Sequence, residues 1–168
     1  ECACVSVHGA NRLGTNSLLD LIVFGRATGR YLVNKNISAE GHKRVPSDGA
    51  DKTIQRIKRL DNNKSGEDVM ETGNLIRETT QKYCGVFRNE ELLKKGVQKI
   101  LDIDSSMDKL FIKDKSAVFN TARIEAIEVF NMIEVAKATI ISADARKESR
   151  GAHSHDNFAE RNDKSWMK

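Results

Sequence analysis

Apolar residues are distributed along this chain at two densities. From residue 17 to residue 24 they follow almost without interruption as Leu18, Leu19, Leu21, Ile22, Val23 and Phe24. A helix that is apolar on most faces calls for cover on most faces, so this segment predicts a buried helix. Thr15 or Asn16 is placed to cap it near Ser17. After Gly25 the pattern becomes one-sided, with Arg26 and Arg30 on the polar side, and the helix is expected to end within residues 33–36. Further along, apolar residues fall three and four apart in three stripes. The first runs Val69, Gly73, Ile76, Thr80, Tyr83, behind a capping signal in Ser65-Gly66-Glu67-Asp68. The second runs Leu93, Val97, Ile100, Asp104, widened by Leu92 and Leu101. The third and longest runs Val118, Ala122, Ala126, Val129, Ile133, Ala136, Ile140. Each stripe covers one side only and needs a partner, and three such helices with short connections predict an antiparallel three-helix bundle. A shorter helix is expected over 52–60, before the turn Asp61-Asn62-Asn63. Val5 and Val7 alternate with polar neighbours and read as a short strand leading into a loop.

Between these elements the composition changes. Residues 36–50 hold Gly41, Pro46 and Gly49 among polar side chains and read as a linker. Residues 146–168 lose the periodicity and are rich in Arg, His and Asp, a composition that is either solvated or lines a site. The single proline and the 5% aromatic content of the 168 residues argue against a β-sandwich and for helices. No apolar run approaches the roughly 20 residues that span a bilayer. The amino end shows no charged segment followed by an apolar run, so it is not read as a signal peptide.

The net charge of +4 raises the question of nucleic acid. Basic and acidic residues alternate along most of the chain, however. The densest basic stretch (His42, Lys43, Arg44, Lys52, Arg56, Lys58, Arg59) holds no aromatic side chain for base stacking. A solvated helix face is the reading, with no nucleic-acid partner. Cys2, Cys4 and Cys84 form no disulfide framework, and Cys2-x-Cys4 is not a zinc spacing, so reduced thiols and no metal site are expected.

Candidate chemistry concentrates in His8-Gly9-Ala10-Asn11-Arg12-Leu13-Gly14-Thr15-Asn16-Ser17-Leu18-Leu19-Asp20. This is a glycine-flanked loop presenting His8, Asn11 and Arg12, followed at once by a helix amino end. Such an end offers unpaired backbone N–H groups and partial positive charge, a place for an anion or a polarised carbonyl. Arg12 adds a planar fork that holds a carboxylate through two hydrogen bonds. The residues alone equally allow Arg12 a structural ion pair within a loop that merely turns.

This stretch, Glu1 through Arg26, resembles the signature of the flavoprotein subunit of succinate dehydrogenase and fumarate reductase. A second block resembles the same family: Asp144-Ala145-Arg146, Glu148-Ser149-Arg150-Gly151-Ala152-His153, then Phe158, Glu160-Arg161-Asn162-Asp163 and Trp166-Met167-Lys168. Gly85-Val86-Phe87-Arg88 and Asn131-Met132 agree as well. The resemblance implies a mainly α chain in three parts: residues 1–45 as the carboxy-terminal edge of a flavin-binding α/β domain (short strand, loop, buried helix), 46–145 as a helical three-helix-bundle domain, and 146–168 as a polar segment leading toward a further small domain. It implies an internal piece of a longer subunit that oxidises succinate to fumarate with FAD and passes electrons to an iron–sulfur subunit and quinone. Such a subunit sits peripherally on the cytoplasmic face of a bacterial inner membrane or the matrix face of the mitochondrial one, with membrane-anchor subunits as indirect partners.

By the same resemblance Arg12 binds a substrate carboxylate, Glu1 contacts the flavin nucleotide, and Ser17 and Leu18 lie against the flavin. No catalytic residue and no metal ligand falls within the chain. The isolated chain is expected not to turn over, and 1–45 is expected to expose an apolar patch when alone, whereas 65–145 should fold independently. Fumarate reductase, L-aspartate oxidase and a non-catalytic helical docking module are the alternatives. His155-Asp156-Asn157 stands where an Arg-Glu-Asp type of run is more usual, and Asn162 where Asp is common; both read as surface positions.

Overall fold

A computed structural model describes residues 7–8, 14–35 and 44–167. The chain divides into two compact units, Glu1–Ala50 and Asp51–Lys168.

In the first unit the main element is helix α1, Asn16–Lys35. It opens on the Thr15 carbonyl, which accepts from the Leu18 N–H at 3.2 Å. Gly14 before it stands at φ +58°, a left-handed conformation in which glycine carries no Cβ penalty. The helix forms over the expected span, but none of its described residues is buried. Leu18 is 67% exposed and Ile22 69%. The burial expected of this helix is therefore not supplied by the described residues, and its apolar face stands open to solvent. Val7 has no regular structure; Val5 lies outside the described residues.

The second unit begins with α2, Asp51–Asn62, whose Leu60 is buried. It continues through β1 (Glu67–Asp68), α3 (Val69–Tyr83), β2 (Phe87–Arg88), α4 (Glu90–Ser106), a 3₁₀ turn (Met107–Lys109), β3 (Leu110–Phe111), α5 (Thr121–Ala145), β4 (Ser154–His155) and the single-turn α6 (Asp163–Trp166). Helices α3, α4 and α5 each pack on the other two. Their directions follow from who meets whom. Gly96, early in α4, lies against Tyr83 at the end of α3 and against Ile140 late in α5, while Gly73 near the start of α3 lies against Val129. Helix α4 thus runs opposite to α3 and α5. Ile76, Leu93, Ile100, Ile133 and Ile140 fill the space between them, each no more than 1% exposed.

The helices start where side chains can take up their first amides. Asp68 accepts from the Met70 and Glu71 N–H groups at 2.9 and 3.0 Å. Asn89 accepts from Leu92 N–H at 2.9 Å, and Asn120 from Arg123 N–H at 2.8 Å. The Asn120 cap corrects the third predicted stripe. Phe119 stands at φ +53°, outside helical conformation, so α5 begins at Thr121 and Val118 is left 71% exposed.

Two parallel two-residue ladders staple the ends of this bundle: Glu67 and Asp68 beside Leu110 and Phe111, and Phe87 and Arg88 beside Ser154 and His155. Neither carries a sequence signal long enough to read. At the first, Gly66 leaves no room for a side chain, since a Cβ there would land on the Lys109 carbonyl oxygen. Backbone cannot rotate out of the way as a side chain can. Gly66→Ala is therefore expected to cost about 1–3 kcal/mol, the range for overpacking, read as a lower denaturant midpoint at unchanged slope.

Candidate functional site

The predicted site residues fall at the amino end of α1. Ser17 and Leu18 occupy its first turn, Ser17 half-buried and Leu18 exposed. Glu1 and Arg12 lie outside the described residues. The stretch that holds Arg12 is bracketed by described partners. On one side, His8 Nε2 lies 3.2 Å from an Asp20 carboxylate oxygen in the second turn of α1, both side chains less than 20% exposed. On the other, Gly14 makes the left-handed turn into the helix. His8 stands within ion-pair distance of an acidic side chain of α1, without hydrogen-bond geometry. The arrangement sets a helix amino end, with its aligned N–H dipoles, beside an exposed apolar surface from Leu18 to Ile22. A helix amino end favours an anionic or polar group, and exposed apolar side chains favour a flat ring.

A second polar constellation was not resolved into roles by sequence reasoning. Residues 146–167 fold around Glu148, which is fully buried. Arg150 grips the carboxylate as a fork, Nε to Oε1 at 2.8 Å and Nη2 to Oε2 at 2.9 Å. Arg146 Nη1 donates to Oε1 at 2.5 Å, and the Asn162 backbone N–H donates to Oε2 at 2.7 Å. Arg150 also reaches Asp163 at 2.7 Å, and Arg146 lies over the Trp166 ring at 4.9 Å. The hydrogen bond from Arg150 leads in holding the Glu148 carboxyl down to about 2, helped by Asn162 N–H and Arg146 and opposed by burial. With every carboxylate lone pair engaged, this is an anchor rather than a group poised to transfer a proton.

Beside it, His153 Nδ1 lies 2.8 Å from Arg88 Nη1, and its Nε2 lies 3.0 Å from the Arg146 carbonyl. His155, read from sequence as a surface position, is 1% exposed; its strand pairs with β2, which turns the ring inward. Asn162, the other departure, caps α6 by accepting from Ser165 N–H at 3.1 Å. The Cys84 thiol is buried and pushed up by desolvation, with Arg88 pulling the other way. Among the described residues no cluster of three His, Cys, Asp or Glu side chains is placed to hold a metal ion. Among the same residues no helix is long and apolar enough to cross a membrane.

Comparison with known proteins gives the same answer by sequence and by structure. Residues 73–168 match the family described as fumarate reductase flavoprotein C-term. The succinate dehydrogenase flavoprotein subunit of Coxiella burnetii is 44% identical over 168 residues, which is 100% of this chain and 29% of that protein. The fumarate reductase flavoprotein subunit of Haemophilus influenzae is 33% identical over 169 residues, 28% of its length. Among solved structures, a variant of FrdA from E. coli quinol fumarate reductase superposes with a TM-score of 0.86 at 35% identity, covering all of this chain and 29% of that one. The chain thus spans about 29% of the length of such relatives. With more than half of its residues inside the family match and its whole length aligned to such relatives, the chain belongs to the succinate dehydrogenase and fumarate reductase flavoprotein family.

Proposed function

We propose that this chain is the part of a succinate-oxidising flavoprotein subunit that joins the edge of the flavin-binding domain (residues 1–45) to the helical domain (46–145) and leads through 146–168 toward a further domain. The observation that carries the reading is the loop of residues 8–20. It resembles the family's substrate loop, and its described part leads from a left-handed Gly14 into an intact helix whose first turn holds Ser17 and Leu18.

Arg12 is the residue that binds a carboxylate of succinate or fumarate, because its planar fork pairs with both carboxylate oxygens. Glu1 accepts hydroxyl groups of the flavin nucleotide. Ser17 and Leu18 bound the flavin at the α1 amino end, and the exposed apolar surface of that turn together with its N–H dipoles suits such a ring. Flavin adenine dinucleotide, when bound, supplies the hydride-accepting centre of the reaction. An iron–sulfur subunit is the direct partner, with quinone and membrane-anchor subunits beyond it, and the assembly is peripheral to a respiratory membrane.

The test is made in the complete flavoprotein complex. Arg12→Ala is expected to lower kcat/KM for succinate, assayed with a dye acceptor, by roughly 100- to 1000-fold, the range for truncating one partner of a buried charged hydrogen bond. Arg12→Lys keeps the charge but loses the fork and should recover only part of the loss. A variant with wild-type kcat/KM would overturn the assignment. The chain alone, supplied with FAD, is expected to show no succinate–dye reductase activity; measurable turnover would sink the view that it is only part of the site.

A further inference from the structure

Residues 149–158 form a strap across the start of α4. Arg150 and His153 exchange backbone hydrogen bonds of 2.8 and 3.0 Å. His155 N–H donates to Ser149 Oγ at 2.8 Å, and Asp156 N–H donates to the Arg88 carbonyl at 2.7 Å. Asn157 Oδ1 accepts from the Glu90 N–H at 3.0 Å, at the first residue of α4. Two histidines lie under this strap with their rings edge to face, centroids 5.7 Å apart. They are 4% and 1% exposed.

The hydrogen bonds of His153 fix its protonation. Arg88 can only donate, so Nδ1 facing it is an acceptor. The Arg146 carbonyl can only accept, so Nε2 carries the proton. No site is left for a second proton: adding one replaces the Arg88 bond with two donors 2.8 Å apart, both cationic. The ring faces Arg88 from β2, Arg146 from the end of α5, and His155 beside it.

His155 is constrained differently. Neither of its ring nitrogens has a hydrogen-bond partner among the described residues. Its neighbours are the Phe158 ring at 4.9 Å, Lys147 and Asp144 at the end of α5, Glu90 at the start of α4, and Asp156 next in the strand. Lys147 is turned toward Glu90, 3.0 Å away. The carboxylates draw a proton toward His155 and Lys147 repels it. A protonated ring would nonetheless bury a full charge with two unpartnered donors, the most costly arrangement available to it.

We propose that His153 and His155 act as an acid-sensitive latch: while both rings are neutral the strap is held on β2 and the start of α4, and protonation lifts it while the three helices stay folded. Burial is the leading cause that pushes both rings below the ordinary 6.5, joined for His153 by Arg88 and opposed by its bond to the Arg146 carbonyl. The direction follows from linkage. The open strap takes up protons as pH falls through 6.5 and the closed one does not, so closure is complete above that value and weakens below it. At pH 5 the open form gains at most about 30-fold for each ring.

The experiment is residue-resolved amide hydrogen exchange on the whole chain at pH 7.5 and 5.0, corrected for the intrinsic pH dependence of exchange. Protection of Arg150, His153, His155, Asp156 and Phe158 is expected to fall by at least about 10-fold, while Ile100 and Ile133 in the helices keep theirs. Equal protection of the strap at both pH values, or a fall in step with the helices, overturns the proposal. The double variant His153→Gln with His155→Phe is expected to lose the pH dependence; if it folds and keeps it, the latch lies elsewhere. Should that variant not fold, the imidazole C2-proton titrations of the unsubstituted chain decide, and either ring titrating at or above 6.5 refutes the proposal.

Discussion

Replacing Glu148 by glutamine is expected to free residues 146–167 from the three-helix bundle while leaving α3, α4 and α5 folded. The carboxylate accepts four hydrogen bonds, from Arg146, twice from Arg150, and from the Asn162 backbone. Glutamine keeps the shape but turns an NH₂ group toward guanidinium donors, and it leaves Arg146 without its carboxylate and Arg150 with Asp163 alone. Asn162 then loses the bond that sets the start of α6, and Trp166 loses the arginine held above it. Amides from Ser149 to Met167 should exchange as exposed loop amides do, with the helices still protected. A variant whose carboxy-terminal amides stay as protected as before would show that the anchor is dispensable. Acid should mimic the substitution at the right pH and no other. The folded carboxyl titrates near 2 rather than near 4.5, so its contribution is complete above about 4.5 and is lost as pH falls toward 2. That window lies below the one in which the histidines act, and the two events should separate in a titration.

The second large effect is expected in the core where α4 meets α5. Ile140 is fully buried and its Cδ1 lies where a side chain on Gly96 would begin, 2.5 Å from the ideal Cβ position, with Tyr83 Cβ at the same distance. Ile140→Ala removes a large buried side chain and should cost about 2–5 kcal/mol. Gly96→Ala gains up to about 1 kcal/mol in helix propensity but forces two contacts far inside van der Waals range, for which about 1–3 kcal/mol is usual; the clash is expected to win. Because the methyl added at Gly96 grows into the space that Ile140 vacates, the double variant should be less destabilised than the sum of the two by about 0.5–3 kcal/mol. Chemical denaturation of the four species measures this, and strict additivity would mean that the helices do not approach as closely as described.

What could be read in advance divides by the kind of residue involved. The three bundle helices were legible because Val69, Ile76, Leu93, Ile100, Val129, Ile133 and Ile140 repeat at helical spacing and are all buried. The contact that sets how closely α4 sits was not, because Gly96 carries no hydrophobic signal. Val118 was drawn into the third stripe by its spacing alone; the Asn120 side chain overrode it by capping the helix three residues later. The carboxy-terminal segment was legible as a family block but not as structure, since the value of Glu148 comes from four donors brought together in space. His155 looked like a surface position because polar residues surround it in sequence, and a two-residue ladder with β2 buries it. Arg12 and Glu1 gain their roles from resemblance alone, since both lie outside the described residues.

The two parallel ladders have a consequence for how the chain reaches this state. One joins residues more than 40 positions apart and the other residues more than 60 apart, each for only two residue pairs, whereas α3, α4 and α5 form their own backbone bonds locally and bury a large shared core. Closing long loops costs entropy before any contact returns it. The helices therefore belong to the early, rate-setting part of folding, and the staples close afterwards. Substitutions in the staples should mainly speed unfolding and leave the folding rate nearly unchanged, so that a nascent chain would hold its helical core before its carboxy-terminal strap has left the ribosome.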